Sequence, residues 1–252
     1  MNVPAIGFGT APYRDGKAPL DLEPAVRTAL AAGFRLFDLA ESYGNERAVG
    51  RALRGVSRDD LTLIGKVWRT NYRPAHLRAA CEASLRRLGI DRFDFYLLHA
   101  PGALRHVAPL EDAEDIGWDE LLRRAGGGAL TDDVPLGDTW AAMQRLVSDG
   151  LTARIGVSNF SIEEIAVLGS CSANQIPCWP FQAKTVEAHR RQAITVFGYS
   201  PLRPQQRPPA VALAWLIRRG ITPLTSSTNP QHIRENLASA KLQQSPDEMD
   251  LL

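Results

Sequence analysis

The chain has 252 residues with 29 Lys+Arg against 28 Asp+Glu, a formal net charge of +1, so no charge excess draws it to nucleic acid or an anionic membrane. Hydrophobic residues make up 44% and charged residues 23%, close to globular averages, which excludes disordered and fibrous classes. Three cysteines without a C-x-x-C spacing (Cys81, Cys171, Cys178) argue against a disulfide framework and against a structural zinc site; no metal is expected, and a reducing cytoplasm fits.

The N-terminus lacks a basic flank followed by an apolar stretch, and no run approaches the roughly 18 apolar residues of a membrane span, so the protein is expected to be soluble and unexported. In chain order, a strand-like run at 5–9 precedes an amphipathic stretch at 22–32. Strand 36–38 is followed by helix 46–54, strand 61–66 by helix 74–88, and strand 93–99 by helix 136–149. Strand 155–158 leads to helix 162–168, 173–176 to 185–191, 195–199 to 208–219, and 222–224 to 230–238. Gly33, Gly55, Gly89, Gly150 and Gly220 follow helical patterns, where a left-handed cap favours glycine, and Asn229-Pro230 reads as an N-cap with proline at the first helical position. Eight β-α pairs predict an α/β fold, a (β/α)8 TIM barrel formed as a single domain over 1–252; a doubly wound sheet is the alternative.

One stretch interrupts the rhythm. Residues 102–135 separate His99 from the next helix, are rich in acidic side chains and include Gly126-Gly-Gly. Within them Trp118-Asp-Glu-Leu-Leu-Arg-Arg reads as a short helix. Because the excursion follows a strand it belongs to the C-terminal face of a barrel, as a wall or lid of a site or as a surface excursion. Basic pairs at Arg86-Arg87, Arg123-Arg124 and Arg190-Arg191 read as solvated helix faces.

Four polar residues stand at or beyond three successive strand ends: Asp38, Tyr43 five residues on, Lys66 and His99. A phenol, with a reference pKa of about 10, is a poor proton donor at neutral pH. A nearby ammonium favours phenolate, a carboxylate can pair with the ammonium, and an imidazole can orient a carbonyl oxygen. A lysine buried at a strand end also needs a compensating carboxylate, for which Asp38 is the candidate.

Those residues lie in a series of motifs: Gly7-Phe-Gly-Thr, Phe37-Asp-Leu-Ala-Glu-Ser-Tyr-Gly-Asn-Glu, Gly65-Lys-Val-Trp, Leu97-Leu-His, Ile155-Gly-Val-Ser-Asn-Phe, Asn174-Gln-Ile, Gly198-Tyr-Ser-Pro-Leu and Ile233-Arg-Glu-Asn. In this order and spacing the chain resembles the aldo-keto reductase family over nearly its whole length. The resemblance implies an NAD(P)H-dependent reductase of an aldehyde or ketone in which Tyr43 is the general acid, Lys66 lowers its pKa, Asp38 pairs with Lys66 and His99 orients the carbonyl. It implies a cofactor site of Gly9, Thr10, Asp38, Ser158, Asn159, Gln175, Tyr199, Ser200, Leu202, Ser226, Ser227, Thr228, His232, Glu235 and Asn236. In that site Ser158, Asn159 and Gln175 would meet the nicotinamide carboxamide and Tyr199 would stack on the ring. Ser200 and Leu202 would border the pyrophosphate, and Glu235 and Asn236 would reach adenine. Gly7-Phe-Gly by itself is no dinucleotide fingerprint.

Two departures bear on specificity. Ser226 and His232 stand where many relatives carry a lysine and an arginine against the adenosine 2′-phosphate. Hydroxyls of Ser227 and Thr228 and the N-terminus of the last helix remain as phosphate donors, so NADPH is favoured and NADH is possible. After Leu237 only fifteen residues remain, so the long C-terminal loop of many relatives is largely missing. Tyr13, Trp68 and Trp118 are then the candidates for the substrate pocket; Trp140 reads as core, and Trp179 is ambiguous. Competing readings are a non-catalytic cofactor-binding sensor or partner subunit on the same barrel, and a lyase or isomerase using Lys66 as a Schiff-base amine. A small carbonyl compound is the expected partner; no feature sets the oligomeric state.

Overall fold

The structure, a computed structural model, describes residues 3–11, 22–106, 131–203 and 208–242. Their first half runs β1 (Gly7–Gly9), α1 (Leu22–Ala32), β2 (Leu36–Asp38), α2 (Glu46–Leu53), β3 (Thr62–Val67), α3 (Pro74–Leu88) and β4 (Phe93–Leu98). A short ribbon follows, β5 (Ala103–Leu104) and β6 (Thr131–Asp132). The rest is α4 (Leu136–Ser148), β7 (Thr152–Ser158), α5 (Ile162–Ala166), β8 (Ala173–Pro177), α6 (Ala183–Arg191), β9 (Thr195–Tyr199), α7 (Pro209–Arg218), β10 (Ile221–Thr225) and α8 (Pro230–Ala238).

Parallel pairing runs β1-β2-β3-β4-β7-β8-β9-β10, and β10 pairs back onto β1, so the sheet closes into the predicted barrel rather than the open alternative. The helices cover its outside because each strand alternates. Phe37, Leu63, Tyr96 and Val157 join Val26, Val49, Leu77, Leu85 and Met143 in the layer between sheet and helices. The opposite faces supply a separate interior cluster of Leu36, Ile64, Phe95, Leu97, Ala173, Phe197 and Leu224. Gly7 is required by that interior, since a Cβ there would sit 2.2 Å from Leu36 Cδ2 and 2.7 Å from Leu224 Cδ2.

Helix ends follow the chemistry of their sequences. Gly89 adopts φ 69° and returns its N–H to carbonyls of the last turn of α3, and Asn229 Oδ1 accepts from Gln231 N at 2.8 Å to cap α8. Strand β7 begins at Thr152, three residues before the predicted start, because Ala153 is exposed and Arg154 lays its guanidinium 3.9 Å over the Phe95 ring. That polar end hides the strand from a reading based on apolar runs. The basic pairs divide: Arg190 and Arg191 are exposed beside Glu187, whereas Arg87 is half-buried against the buried Glu46 at 2.6 Å.

At the base of the excursion, Ala103 pairs with Asp132 and Leu104 with Thr131, so its two ends form a ribbon. Arg69 Nε donates to Gly102 O at 2.7 Å and Arg73 Nε to Asp132 Oδ2 at 2.7 Å, fastening the ribbon to the β3–α3 connection. Residues 107–130, with Trp118, the anticipated short helix and Arg123-Arg124, lie outside the described residues, as does Tyr13. No described helix is long and apolar enough to cross a membrane.

Candidate active site

In a strand, residue i+2 returns to the face of residue i. Leu36, Ile64, Leu97, Ala173, Phe197 and Leu224 face the barrel interior, so Asp38, Lys66, His99, Gln175, Tyr199 and Ser226 come next on that face toward the C-terminal mouth. A polar layer therefore rests on an apolar one by period alone. Barrels place their chemistry at this mouth.

Lys66 organises the layer. Its ammonium has three protons, and the structure aims them at Asp38 Oδ1 (2.5 Å), Leu39 O (2.8 Å) and Tyr43 Oη (3.1 Å). Lys66 is 1% exposed and Asp38 3%, so neither charge is tolerable without the other. Burial pushes the Lys66 ammonium below its ordinary value, and the Asp38 carboxylate opposes that shift by charge and hydrogen bond. Because the phenol oxygen accepts from Lys66, Tyr43 is left to give its own proton to another acceptor. Tyr43 is delivered by a turn in the β2–α2 loop, whose N–H donates to Ala40 O at 3.1 Å.

His99 continues β4, its N–H donating to Val67 O at 3.2 Å. The ring stands edge-on to Tyr43 at 5.7 Å and to Trp68 at 5.0 Å, with Nδ1 3.3 Å from Ser42 Oγ. Trp68 is buried at the mouth, the one substrate-pocket candidate among the described residues.

The second-half residues interlock with the first at Asp38 and at His99. Asp38 Oδ1, already bonded to Lys66, accepts from Gln175 Nε2 at 2.8 Å. Asn159, at φ 65°, donates from Nδ2 to His99 O (3.1 Å) and Ser158 Oγ (3.0 Å), while its Oδ1 accepts from Tyr199 Oη at 2.9 Å. Ser158 Oγ donates to Gln175 O at 3.1 Å. Thr10 is turned to the frame: its Oγ1 donates to Asp38 O at 2.9 Å, next to the Gly9–Asp38 register pair.

Farther along the mouth the groups are looser. Ser200 adopts φ 52°, and Trp179 Nε1 donates to Pro201 O at 2.9 Å, holding the segment that carries Leu202. Ser226 and Ser227 are half-buried, and Ser227 Oγ accepts from Asn229 N at 3.1 Å. Thr228, His232 and Glu235 are exposed on the β10–α8 segment, with Glu235 accepting from Gln231 Nε2 at 2.7 Å. Asn236 is buried beneath them.

Sequence reasoning missed Glu41, Ser42, Asn45 and the anchoring role of Trp179. Position offered a signal for Glu41 and Ser42, which immediately precede Tyr43. Asn45 donates to Thr10 O at 2.8 Å, and neither it nor Trp179 carries a sequence cue, because loop geometry chooses their partners.

The donor set fits a nicotinamide group. Gln175 spends its amide nitrogen on Asp38 and keeps a carbonyl as acceptor, Ser158 and Asn159 supply hydroxyl and amide chemistry beside it, and the Tyr199 hydroxyl is tied down so that the ring is held as a flat surface.

The Aldo/keto reductase family model matches residues 5–206. Aldo-keto reductase family 1 member A1-A of Danio rerio is 32% identical over 100% of this chain and 86% of its own, and Aldo-keto reductase family 1 member C4 of Homo sapiens is 30% identical over 99% and 87%. Among solved structures, the aldose reductase of Giardia lamblia superposes with a TM-score of 0.83 at 30% identity, covering 98% of this chain and 90% of that one.

Proposed function

As a chain that belongs to the aldo/keto reductase family, this protein is an oxidoreductase, and we propose that it reduces an aldehyde or ketone to the alcohol with Tyr43 as general acid. The observation that carries the reading is the contact of the buried Lys66 ammonium with the Tyr43 oxygen at 3.1 Å. A cation there stabilises the phenolate that remains after proton transfer.

In this reading the carbonyl oxygen lies between Tyr43 Oη and His99. The tautomer that serves this role accepts from the Ser42 hydroxyl at Nδ1, 3.3 Å away, carries its proton on Nε2 and donates it to the same oxygen. Ser158, Asn159 and Gln175 hold the nicotinamide carboxamide and Tyr199 supports the ring; the cofactor, when bound, supplies the hydride. Tyr43 protonates the developing alkoxide, the Lys66 ammonium that Asp38 holds in place stabilises the phenolate left behind, and solvent restores the proton. Trp68 stands on the substrate side.

NADPH is the cofactor we assign, held at its 2′-phosphate by Ser226, Ser227, Thr228 and the α8 N-terminus, with NADH accepted less well. Cys81, Cys171 and Cys178 are unpaired thiols, which suits the cytoplasm. Cofactor oxidation is to be followed with NADPH and NADH over a panel of aldehydes, sugars, quinones and diketones. Turnover that requires the Tyr43 hydroxyl is expected; cofactor binding without oxidation of any panel member would favour the sensor reading.

A further inference from the structure

Three consecutive residues of the β2–α2 loop reach three different places. Tyr43 meets Lys66 and Ser42 meets His99. Glu41 reaches the connection between β3 and α3, where Oε1 accepts from Asn71 Nδ2 at 2.6 Å and the Trp68 backbone N–H also donates to the carboxylate. Its main chain is held too, the N–H donating to Lys66 O at 3.2 Å and the carbonyl accepting from Gly44 N at 3.4 Å. The residue is partly exposed, but Oε2 is enclosed and has no hydrogen-bond partner. An enclosed carboxyl oxygen without a donor is costly. A neutral residue such as glutamine would make the Asn71 contact without enclosing a charge.

We propose that Glu41 is a positioning residue for the carbonyl substrate: its carboxylate pins the start of the β3–α3 connection and so sets how the Trp68 ring stands against His99. The inference rests on reading Trp68 and His99 as the substrate side of the site. Glu41 touches neither reacting atoms nor the β7–β10 residues assigned to the cofactor.

The pin depends on charge. A carboxylate accepts an N–H roughly twice as strongly as a neutral acceptor. Protonation would also turn one oxygen into a donor that needs an acceptor. The groups facing Glu41 are Glu46 of α2, Arg87 and Cys81 of α3, Tyr72 before α3 and Tyr96 of β4. Burial pushes the phenols and the thiol far up, so they stay neutral and Glu46 and Arg87 are the charges that act. Arg69, on the same connection, is committed to Gly102 O. Burial first, then Glu46, lifts the Glu41 carboxyl to about 7, against Arg87, the Trp68 N–H and Asn71. The strap therefore loosens as pH falls through neutrality.

Two measurements test this on the full chain. In steady-state kinetics with saturating NADPH, wild-type KM for a carbonyl substrate is expected to rise about three- to tenfold from pH 8 to pH 6, the worth of one weakened hydrogen bond, with kcat changing less. Glu41→Gln should show the higher KM at both pH values and unchanged NADPH affinity. Glu41→Asp, which keeps the charge but draws it back one methylene, should raise KM yet retain the pH response. Independently of turnover, the Trp68 emission, isolated by subtracting a Trp68→Phe variant, should titrate near pH 7 and lose that titration in Glu41→Gln. A wild-type KM profile in Glu41→Gln would assign the pH response to a group other than Glu41 and overturn the proposal, as would a Trp68 titration that survives the substitution. Loss of the Trp68 titration in Glu41→Gln without turnover on any carbonyl would instead remove the reductase reading and leave the strap standing.

Discussion

The two halves of the barrel mouth are built differently. At β2–β4 the functional groups are mutually bonded, with Asp38 and Lys66 buried and Tyr43 and His99 half-buried: Asp38 and Tyr43 share the Lys66 ammonium, and His99 is flanked by Ser42, Tyr43 and Trp68. At β9–β10 the corresponding groups are half-buried or exposed and bond mainly to their own segment, as Ser227 does to Asn229 and Glu235 to Gln231. The first half is a preorganised electrostatic device in which each member constrains the next. The second is an open surface that a ligand can complete. A change in the first half should therefore propagate, and a change in the second should stay local.

Tyr43→Phe strikes the first half where the effect is largest. It removes the hydroxyl and keeps the ring edge-on to His99, so turnover should fall about 10²–10⁴-fold, the range for a lost general acid, with little change in NADPH affinity. Pre-steady-state and binding measurements on the same variant separate the two. Near-normal turnover would dissolve the contrast between the halves.

Lys66→Met should propagate furthest in stability. It leaves Asp38 buried beside Gln175 without its cation, and breaking a buried pair from one side costs about 3–5 kcal/mol. Chemical denaturation should report that loss together with a collapse in rate. An equally stable methionine variant would mean that water replaces the ammonium and that the half is less closed than its geometry indicates.

The same contrast explains what was legible in the sequence. Leu36/Asp38, Ile64/Lys66 and Leu97/His99 repeat one step, apolar then polar at i+2, and that period fixes face and height without any knowledge of loops. Eight β-α pairs likewise pointed to a closed barrel ahead of the doubly wound alternative, which the pairing of β10 with β1 rules out. The role of Glu41 was not legible, because it depends on where the 69–73 connection turns. Nor was the joining of Gln175 to Asp38 across 137 residues, since either amide orientation is compatible with the sequence. The β5–β6 ribbon was hidden because two paired residues on each side leave no period to read.

Glu41 sharpens the comparison from within the constrained half, because there its function and its stability oppose one another. Its carboxyl is raised from 4.5 to about 7, so between those values the folded protein holds a proton that the unfolded chain has released. Stability then falls as pH rises through that window and is flat above it, by up to about 3 kcal/mol. Glu41→Gln should melt higher than wild type at pH 8, by about 1–3 kcal/mol in denaturation, with the gap closing toward pH 5. A pH-independent gap would show that the group is not titrating in this window.

The smallest expected effect belongs to the open half. Ser226 is half-buried past the end of β10, beside the α8 N-terminus and the exposed His232, where any hold on a 2′-phosphate comes from hydroxyls and N–H groups. Ser226→Lys adds a cation there without disturbing a hydrogen bond on which Asp38 or Lys66 depends. A partly solvated ammonium–phosphate contact is worth about 1 kcal/mol, or roughly five- to tenfold in affinity, screened by salt. Fluorescence titration should show tighter NADPH binding by that factor, no change for NADH, unchanged stability, and a gain that shrinks as ionic strength rises. NADH binding that tightened equally would place Ser226 near the pyrophosphate rather than the 2′-phosphate. A large loss of stability would show that this segment is as tightly coupled to the core as the Asp38–Lys66–Tyr43 cluster, and the distinction between a constrained and an open half of the mouth would fail.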